Sequence, residues 1–311
     1  MDYSILIFTV LKLAVLIGIG MWLATKIALT KDVKGFLIFV IINIALPAII
    51  LSGFFKVEID NSLLHQIVII FIFSLCFNIL ALFAGWAFSK SIGLEALKAR
   101  ETAFLSTFGN SGPIGIPLCA SLFGAKGAVY AAVFDAGMSL TLWTIGTLFV
   151  QGKTKVTVKN FKSMITAPNI AVTIGMIFTF FRIDPGSFVK DVTSSLGAVA
   201  SPLAMIYIGM LVMTIIKEKR TVPAKLVAIP VSFKLIVFPV IGILALTLLP
   251  IAADVEQVLL IEMAMPAVTV ASVILALYNA DENYGVMHTL LSNLIVLVSL
   301  PVIVLLGGML L

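Results

Sequence analysis

Apolar residues run in ten stretches between clusters of charge, at 4–29, 33–55, 63–89, 101–123, 127–151, 164–182, 192–216, 222–250, 256–278 and 284–310. Each is long enough, as a helix, to cross or nearly cross a hydrocarbon layer about 30 Å thick. In lipid every backbone polar group must be satisfied internally, so the stretches are read as helices and the chain as an all-α polytopic membrane protein. Charge agrees: only 11% of residues are Asp, Glu, Lys or Arg, against about 25% in a soluble domain. That excludes a cytosolic enzyme, a nucleic-acid binder and a disordered scaffold. Cys76 and Cys119 sit inside apolar runs and imply no disulfide framework. The first span opens Met1-Asp2 without a basic leader, and reads as a helix rather than a cleaved signal.

Basic residues fall unevenly between alternate connectors. One set holds Lys26, Lys31 and Lys34; Lys90, Lys98 and Arg100; Lys153, Lys155, Lys159 and Lys162; and Lys217, Lys219, Arg220 and Lys225. The other set holds Lys56, Lys126, Arg182 and Lys190. The positive-inside rule places the first set in the cytoplasm and both termini outside. The basic connector 152–163 (QGKTKVTVKNFK) separates a first half, 1–151, from a second, 164–311, within a single membrane domain.

The halves share a pattern. Pro47 and Pro202 lie 155 positions apart, Pro113 and Pro266 lie 153 apart, and all four fall inside spans. A near-constant offset suggests two five-helix repeats. Five is odd, so the second repeat enters the membrane inverted, an arrangement typical of secondary transporters with midplane sites at the repeat interface.

Span 4 carries the densest group of helix breakers: three glycines and two prolines within 109–117. Each interior proline removes a backbone donor and clashes with the carbonyl four residues back. Opened backbone at membrane depth is tolerated where protein buries it or it lines a cavity. Asn110, Ser111, Gly112, Pro113 and Pro117 are therefore candidate substrate-binding residues, Asn110 because its amide suits a carboxylate or hydroxyl. In the second half Pro266 interrupts span 9, with Thr269 and Ser272 expected to cap the groups it frees, and these three form the opposite wall. Asn43, four residues before Pro47, and Asn78 in span 3 are candidates to line a polar pocket beneath the broken helices or to bridge between helices, and Asn293 in span 10 is a candidate to face the site. Buried ionisable residues are functional by default. Asp135 and Glu262 are accordingly candidates for a coupling ion or proton, with Glu262 read as close to the outer interface. Lys234 in span 8 attracts an anion, snorkels or pairs with an acid. His65 and His288 are read as interfacial, without the Cys, His or acid partners of a metal site. No HExxH, phosphate-binding GxxxxGK[ST] or GxSxG motif occurs, so neither a cofactor nor catalysis is expected.

The stretch GNSGPIGIPL at 109–118, with EMAMPAVTVASVILALY at 262–278, resembles the auxin efflux carrier family, which groups plant auxin exporters with bacterial permeases for malate, malonate and related acids. The resemblance covers the whole chain. It implies ten helices as two inverted repeats, with broken helices 4 and 9 crossing at their midpoints, an architecture similar to the bile-acid–sodium symporters. Two features depart from the family pattern: Ala271 stands at the repeat equivalent of Pro117, and the central connector is short, which favours a prokaryotic plasma-membrane permease. The function so implied is secondary transport of a small organic anion, a carboxylate such as malate, malonate or an auxin-like acid. Alternating access, coupling to a proton or sodium, and a homodimer through the scaffold helices belong to the same picture. The alternatives are a sodium-coupled bile-acid-type symporter, against which the lack of a dense Asn, Gln and Glu cage argues, and a membrane sensor on a transporter fold.

Overall fold

The computed structural model describes residues 3–57, 61–152, 162, 165–218, 224–249 and 251–310. Most of the basic connector 152–163 lies outside these, as do the side chains of Lys12 and of the basic cluster 217–225. Among the described residues fifteen helical segments follow one another: α1 (Tyr3–Lys26), α2 (Lys31–Val40), α3 (Leu46–Lys56), α4 (Asn61–Ser91), α5 (Ala96–Thr107), α6 (Ile116–Thr141, broken by a kink at Gly124, φ 64°), α7 (Thr147–Gln151), α8 (Ala167–Phe180), α9 (Ser187–Gly197), α10 (Ala200–Glu218), α11 (Ala224–Ser232), α12 (Phe238–Leu246), α13 (Ala253–Met263), α14 (Ala271–Leu277) and α15 (Glu282–Leu310). Wider π-turns at Ile41–Ala45, Ser111–Gly115, Leu142–Gly146 and Phe233–Val237 join several of them.

Among the described residues six helical stretches are long and apolar enough to cross a membrane: Lys31–Lys56, Ser62–Ser91, Ser111–Gln151, Ser187–Thr214, Val227–Leu246 and Glu282–Leu310. Ala167–Phe180 is a shorter apolar helix, and the described side chains of α1, from Ala14 to Lys26, are mostly apolar as well. At about 1.5 Å per residue, α5, α13 and α14 are each too short to cross alone. The apolar runs 101–123 and 256–278 are each interrupted, after Thr107 and after Met263.

Local chemistry fixes several ends. Thr30 caps α2 by accepting from the Val33 amide, with Asp32 in the first turn. Span 6 starts later than its apolar run suggests, at Ala167. Thr166 there accepts from the Asn169 amide, and Pro168 sits in the first turn, where a missing N–H costs nothing. Three of the π-turns end two residues before a proline, at Pro47, Pro117 and Pro239. A proline cannot donate to the turn behind it, and the wider turn absorbs the resulting shift of register without ending the helix. Leu142–Gly146 has no such proline. Around it Thr141, Thr144 and Thr147 each donate a hydroxyl to the carbonyl four residues back, a side-chain competition that bends helices.

The chain folds into two compact units. The first comprises residues 1–67, 111–133 and 166–220. In it α1 packs on α10 through glycines: Gly20 lies against the Ile206 backbone and Gly209 against Ile17 and Met21, leaving no room for a Cβ. α3 packs on α8 and α9 the same way, with Gly175 under the Phe54 ring and Gly197 against the backbone of Ile49. Small residues at such contacts let backbones approach, which gains dispersion where lipid supplies no hydrophobic drive. Lys56 Nζ donates to Ser194 Oγ at 2.7 Å, and Ser121 bonds Ser201 at 2.9 Å.

The second unit comprises residues 68–110, 134–165 and 221–311. Ile243, Leu260, Ala264 and Ile303 form a buried cluster joined by Leu300. Gly307 lies against the Leu260 side chain and Gly146 against the Phe108 ring. The Phe104 and Phe108 rings pack at a tilt of 53° with centroids 5.1 Å apart. Ser74 donates its hydroxyl to the Phe134 carbonyl at 2.7 Å, and Asn78 donates back to the Ser74 carbonyl of its own helix. Asn78 thus serves its helix rather than a cavity.

A candidate substrate site at two interrupted helices

α5 stops at Thr107, and Phe108 turns extended with φ −83° and ψ 120°. α13 stops at Met263, and the chain resumes helix only at Ala271. Between these ends the two strands of backbone meet antiparallel, Gly109 opposite Ala267. Asn110 N–H donates to the Pro266 carbonyl at 2.7 Å and Val268 N–H to the Phe108 carbonyl at 3.0 Å. The Ala267 amide donates to Ser292 Oγ of α15 at 3.0 Å. Backbone freed by one interruption is thus satisfied largely by the other, as burial requires. Asn110 is 3% exposed, and Pro266 and Ala267 are buried.

Two expectations from sequence need correction. The opened backbone in span 4 is confined to Phe108, Gly109 and Asn110 and does not extend across 109–117. Ser111–Gly115 is a π-turn and α6 begins at Ile116, so Pro113 and Pro117 lie in the opening turns of the returning helix, where proline is tolerated. Nor do Thr269 and Ser272 cap the groups freed at Pro266, because Phe108 and Ser292 supply those acceptors. Thr269 instead donates its hydroxyl across the pair to Asn110 Oδ1 at 3.1 Å.

That bond orients the Asn110 amide. With Oδ1 held by Thr269, the NH2 end is the amide's free-facing donor group. Ser111 and Gly112 are buried directly after it. The other candidates fall elsewhere. Asn43, in the first unit, is exposed and donates to the Phe39 carbonyl one turn back. Asn293 is 2% exposed but donates to Thr289 O within α15. Ser272 is half-buried at the start of α14. Asp135 is buried on α6. Glu262 is fully buried on the last turn of α13, not near an interface, because the half-helix ends inside the protein.

Two residues matter more than their sequence context suggested. Lys234 is 2% exposed and neither snorkels nor sits at a surface. Its Nζ donates to the Thr107 carbonyl at 3.1 Å and the Met263 carbonyl at 3.3 Å, the last residues of α5 and α13. His288, expected at an interface, is fully buried on α15. A lysine inside an apolar run, beside the ends of two helices that cannot complete their own hydrogen bonds, was the available signal.

A polar strap closes the start of α5 against the start of α15. Lys98 pairs with Glu101 at 2.9 Å and Asp281 at 2.8 Å. The Asp281 amide donates to Glu101 Oε1 at 2.9 Å. Lys98 also lies over the Tyr284 ring, 4.2 Å from its centroid, and Tyr284 bonds Thr102 through its hydroxyl at 2.9 Å. Burial alone would lower the Lys98 ammonium, but hydrogen bonds to Asp281 and Glu101 outweigh it and leave the group raised. Burial likewise pushes the Asp281 carboxyl up, and its bonds from Lys98 and the Tyr284 amide bring it below the usual range.

Comparison with known proteins relates the chain to membrane transporters. An uncharacterized transporter of Methanothermobacter thermautotrophicus is 24% identical over 295 residues, 94% of this chain and 95% of its own. Another, from Methanocaldococcus jannaschii, is 26% identical over 252 residues, 78% of this chain and 79% of its own. A model of the membrane transport protein family matches residues 5–304. With that match running nearly end to end over a helical, membrane-spanning chain, this protein is a member of the membrane transport protein family, the auxin efflux carrier type of transporter.

Proposed function

We propose that the chain is a secondary transporter for a small organic anion, a carboxylate such as malate, malonate or an auxin-like acid, working by alternating access at the paired half-helices. The observation that carries this reading is the antiparallel meeting of Gly109 with Ala267, which holds the Asn110 amide beside Thr269 in buried surroundings. Interrupted helices whose backbone meets at membrane depth are the usual seat of substrate in secondary transporters. The neutral Asn110 amide donates to a carboxylate without adding charge, and the nearby Lys234 ammonium is already met by the Thr107 and Met263 carbonyls.

The same reading takes the ten spans as two inverted five-helix repeats, with the fold of the bile-acid–sodium symporters. The composition of the units supports the repeat for their first segments. The first unit draws on residues 1–67, 111–133 and 166–220 and the second on 68–110, 134–165 and 221–311, so 1–67 and 166–220 fall together at nearly the offset of the paired prolines, whereas 111–133 does not share a unit with its counterpart. Both termini lie outside the plasma membrane, and dimerisation uses scaffold helices.

Purified protein in proteoliposomes, offered labelled malate, malonate and an indole acid under imposed proton or sodium gradients, tests the assignment. Saturable uptake of at least one acid is expected, and Asn110→Ala should lower it by about tenfold or more, a loss of about 1.4 kcal/mol of binding, while inserting normally. Uptake unchanged in Asn110→Ala removes that residue from the site. No uptake of any carboxylate removes the substrate class.

A further inference from the structure

Carbonyl groups at the last turn of a helix have no partner within it and carry the negative end of its dipole, about half a unit charge. α5 and α13 both end inside the protein, and their terminal carbonyls, Thr107 O and Met263 O, converge on one nitrogen, Lys234 Nζ, at 3.1 and 3.3 Å. Glu262, one residue before the end of α13, interacts electrostatically with the same group. Oxygen atoms from opened backbone and half-helix C-terminal ends, with a nearby carboxylate, are what a membrane protein uses to hold a bare monovalent cation. Here the position is filled from within the chain. Lys234 leaves the π-turn Phe233–Val237, two residues before Pro239, and is buried at 2% exposure. Room for it exists because residue 109 is glycine: a Cβ there would stand 3.0 Å from Nζ and 3.2 Å from Cε.

We propose that Lys234 is a tethered monovalent cation, occupying a carbonyl site that would otherwise take sodium and so making the paired half-helices independent of any free cation. This goes beyond the transporter reading and rests on it only for its consequence, that transport needs no sodium. Asp135 and Glu262 are then not a sodium site at this end of the half-helices. Glu262 instead balances the fixed charge.

The test reads unfolding temperature, not transport, so it stands whether or not a substrate is ever found. Full-length protein in detergent is unfolded at constant ionic strength in sodium, methylammonium or N-methylglucamine chloride. Wild type should unfold at the same temperature in all three. Lys234→Ala should fall by several degrees in N-methylglucamine and recover, saturably, as sodium or methylammonium replaces it. Lys234→Met should fall alike without recovery, because its side chain fills the vacated space. A lysine that merely plugs two carbonyls predicts the fall without the cation-specific recovery, and that result overturns the proposal. So does a sodium-specific rise in wild type, which would reveal a free cation site despite Lys234. If Lys234→Ala does not survive extraction in N-methylglucamine, its yield in methylammonium decides. A restored yield supports the tethered cation, and an equal failure in both salts overturns it.

Discussion

Gly109 sits where a side chain would be most disruptive. Its ideal Cβ falls 3.0 Å from Lys234 Nζ and 3.3 Å from Met265 Cβ. At most sites the end of a lysine would swing away at little cost, but this one is pinned by two carbonyls, and the Met265 Cβ is fixed by the backbone. Overpacking a well-packed interior by one methyl costs about 1–3 kcal/mol. Gly109→Ala is therefore expected to lower the unfolding temperature, and the loss should shrink when combined with Lys234→Ala, because the second change removes the obstacle. Residues in contact couple in this way. Purely additive losses in thermal unfolding of the two single variants and the double would mean that Lys234 is not what limits the space at Gly109. Asn110 belongs to a different kind of constraint. Its amide is oriented by one hydroxyl, Thr269 Oγ1, and side-chain bonds of this sort average about 0.6 kcal/mol inside membranes. Its weight is in direction rather than stability.

The half-helices α5, α13 and α14 lack the length to hold themselves in lipid, so their ends must be fastened to something else. The paired backbone at Gly109 and Ala267 fastens one end of α5 and α13, and the strap of Lys98, Glu101 and Asp281 fastens the start of α5. The strap is part-exposed, with Asp281 44% and Lys98 24% accessible, and an exposed ion pair contributes about 0–1 kcal/mol. It positions the element more than it stabilises the fold. Its pH range follows from the directions of the two shifts. Asp281 is lowered in the fold, so its contribution is complete above the free carboxyl value of about 3.9 and fades as pH falls through the lower folded value. Lys98 is raised, so its contribution is complete below about 10.4 and fades as pH rises through the higher folded value. Neutral pH lies inside both limits. Hydrogen exchange of residues 96–103 and 280–285, corrected for intrinsic rates, should therefore quicken below about pH 4, and Asp281→Asn should show the same quickening at pH 7. Equal protection in Asp281→Asn and wild type at pH 7 would take the strap out of the account.

At the scale of the whole chain, what could be read in advance is what lipid imposes. Apolar runs and their breakers mark where helices lie and where they fail, and Pro266 and the 109–117 cluster sit at or beside the two interruptions. The extent of the first was not legible. A proline does not announce that a π-turn will absorb it, and three of the four π-turns among the described residues precede one. Partnership was legible least, because backbone pairs carry no side-chain signature. Lys234 reaches a carbonyl 127 positions away, whereas Asn43 and Asn293, promising by type, spend their amides on their own helices. Orientation is the property of the whole molecule that still rests on sequence, and it can be put to a direct trial. Fourteen of the 20 basic residues fall in one set of connectors and four in the other, an imbalance that sets the sidedness of polytopic proteins. The two cysteines, Cys76 and Cys119, form no disulfide, and a variant with both changed to serine that still inserts in the membrane is the background for single reporters. Lys190→Cys, in the sparse set, should react with a membrane-impermeant maleimide on intact cells. Lys155→Cys, in the central connector, should react only after permeabilisation. The reverse pattern would invert the protein in the membrane, and with it the direction in which each half-helix faces the cytoplasm.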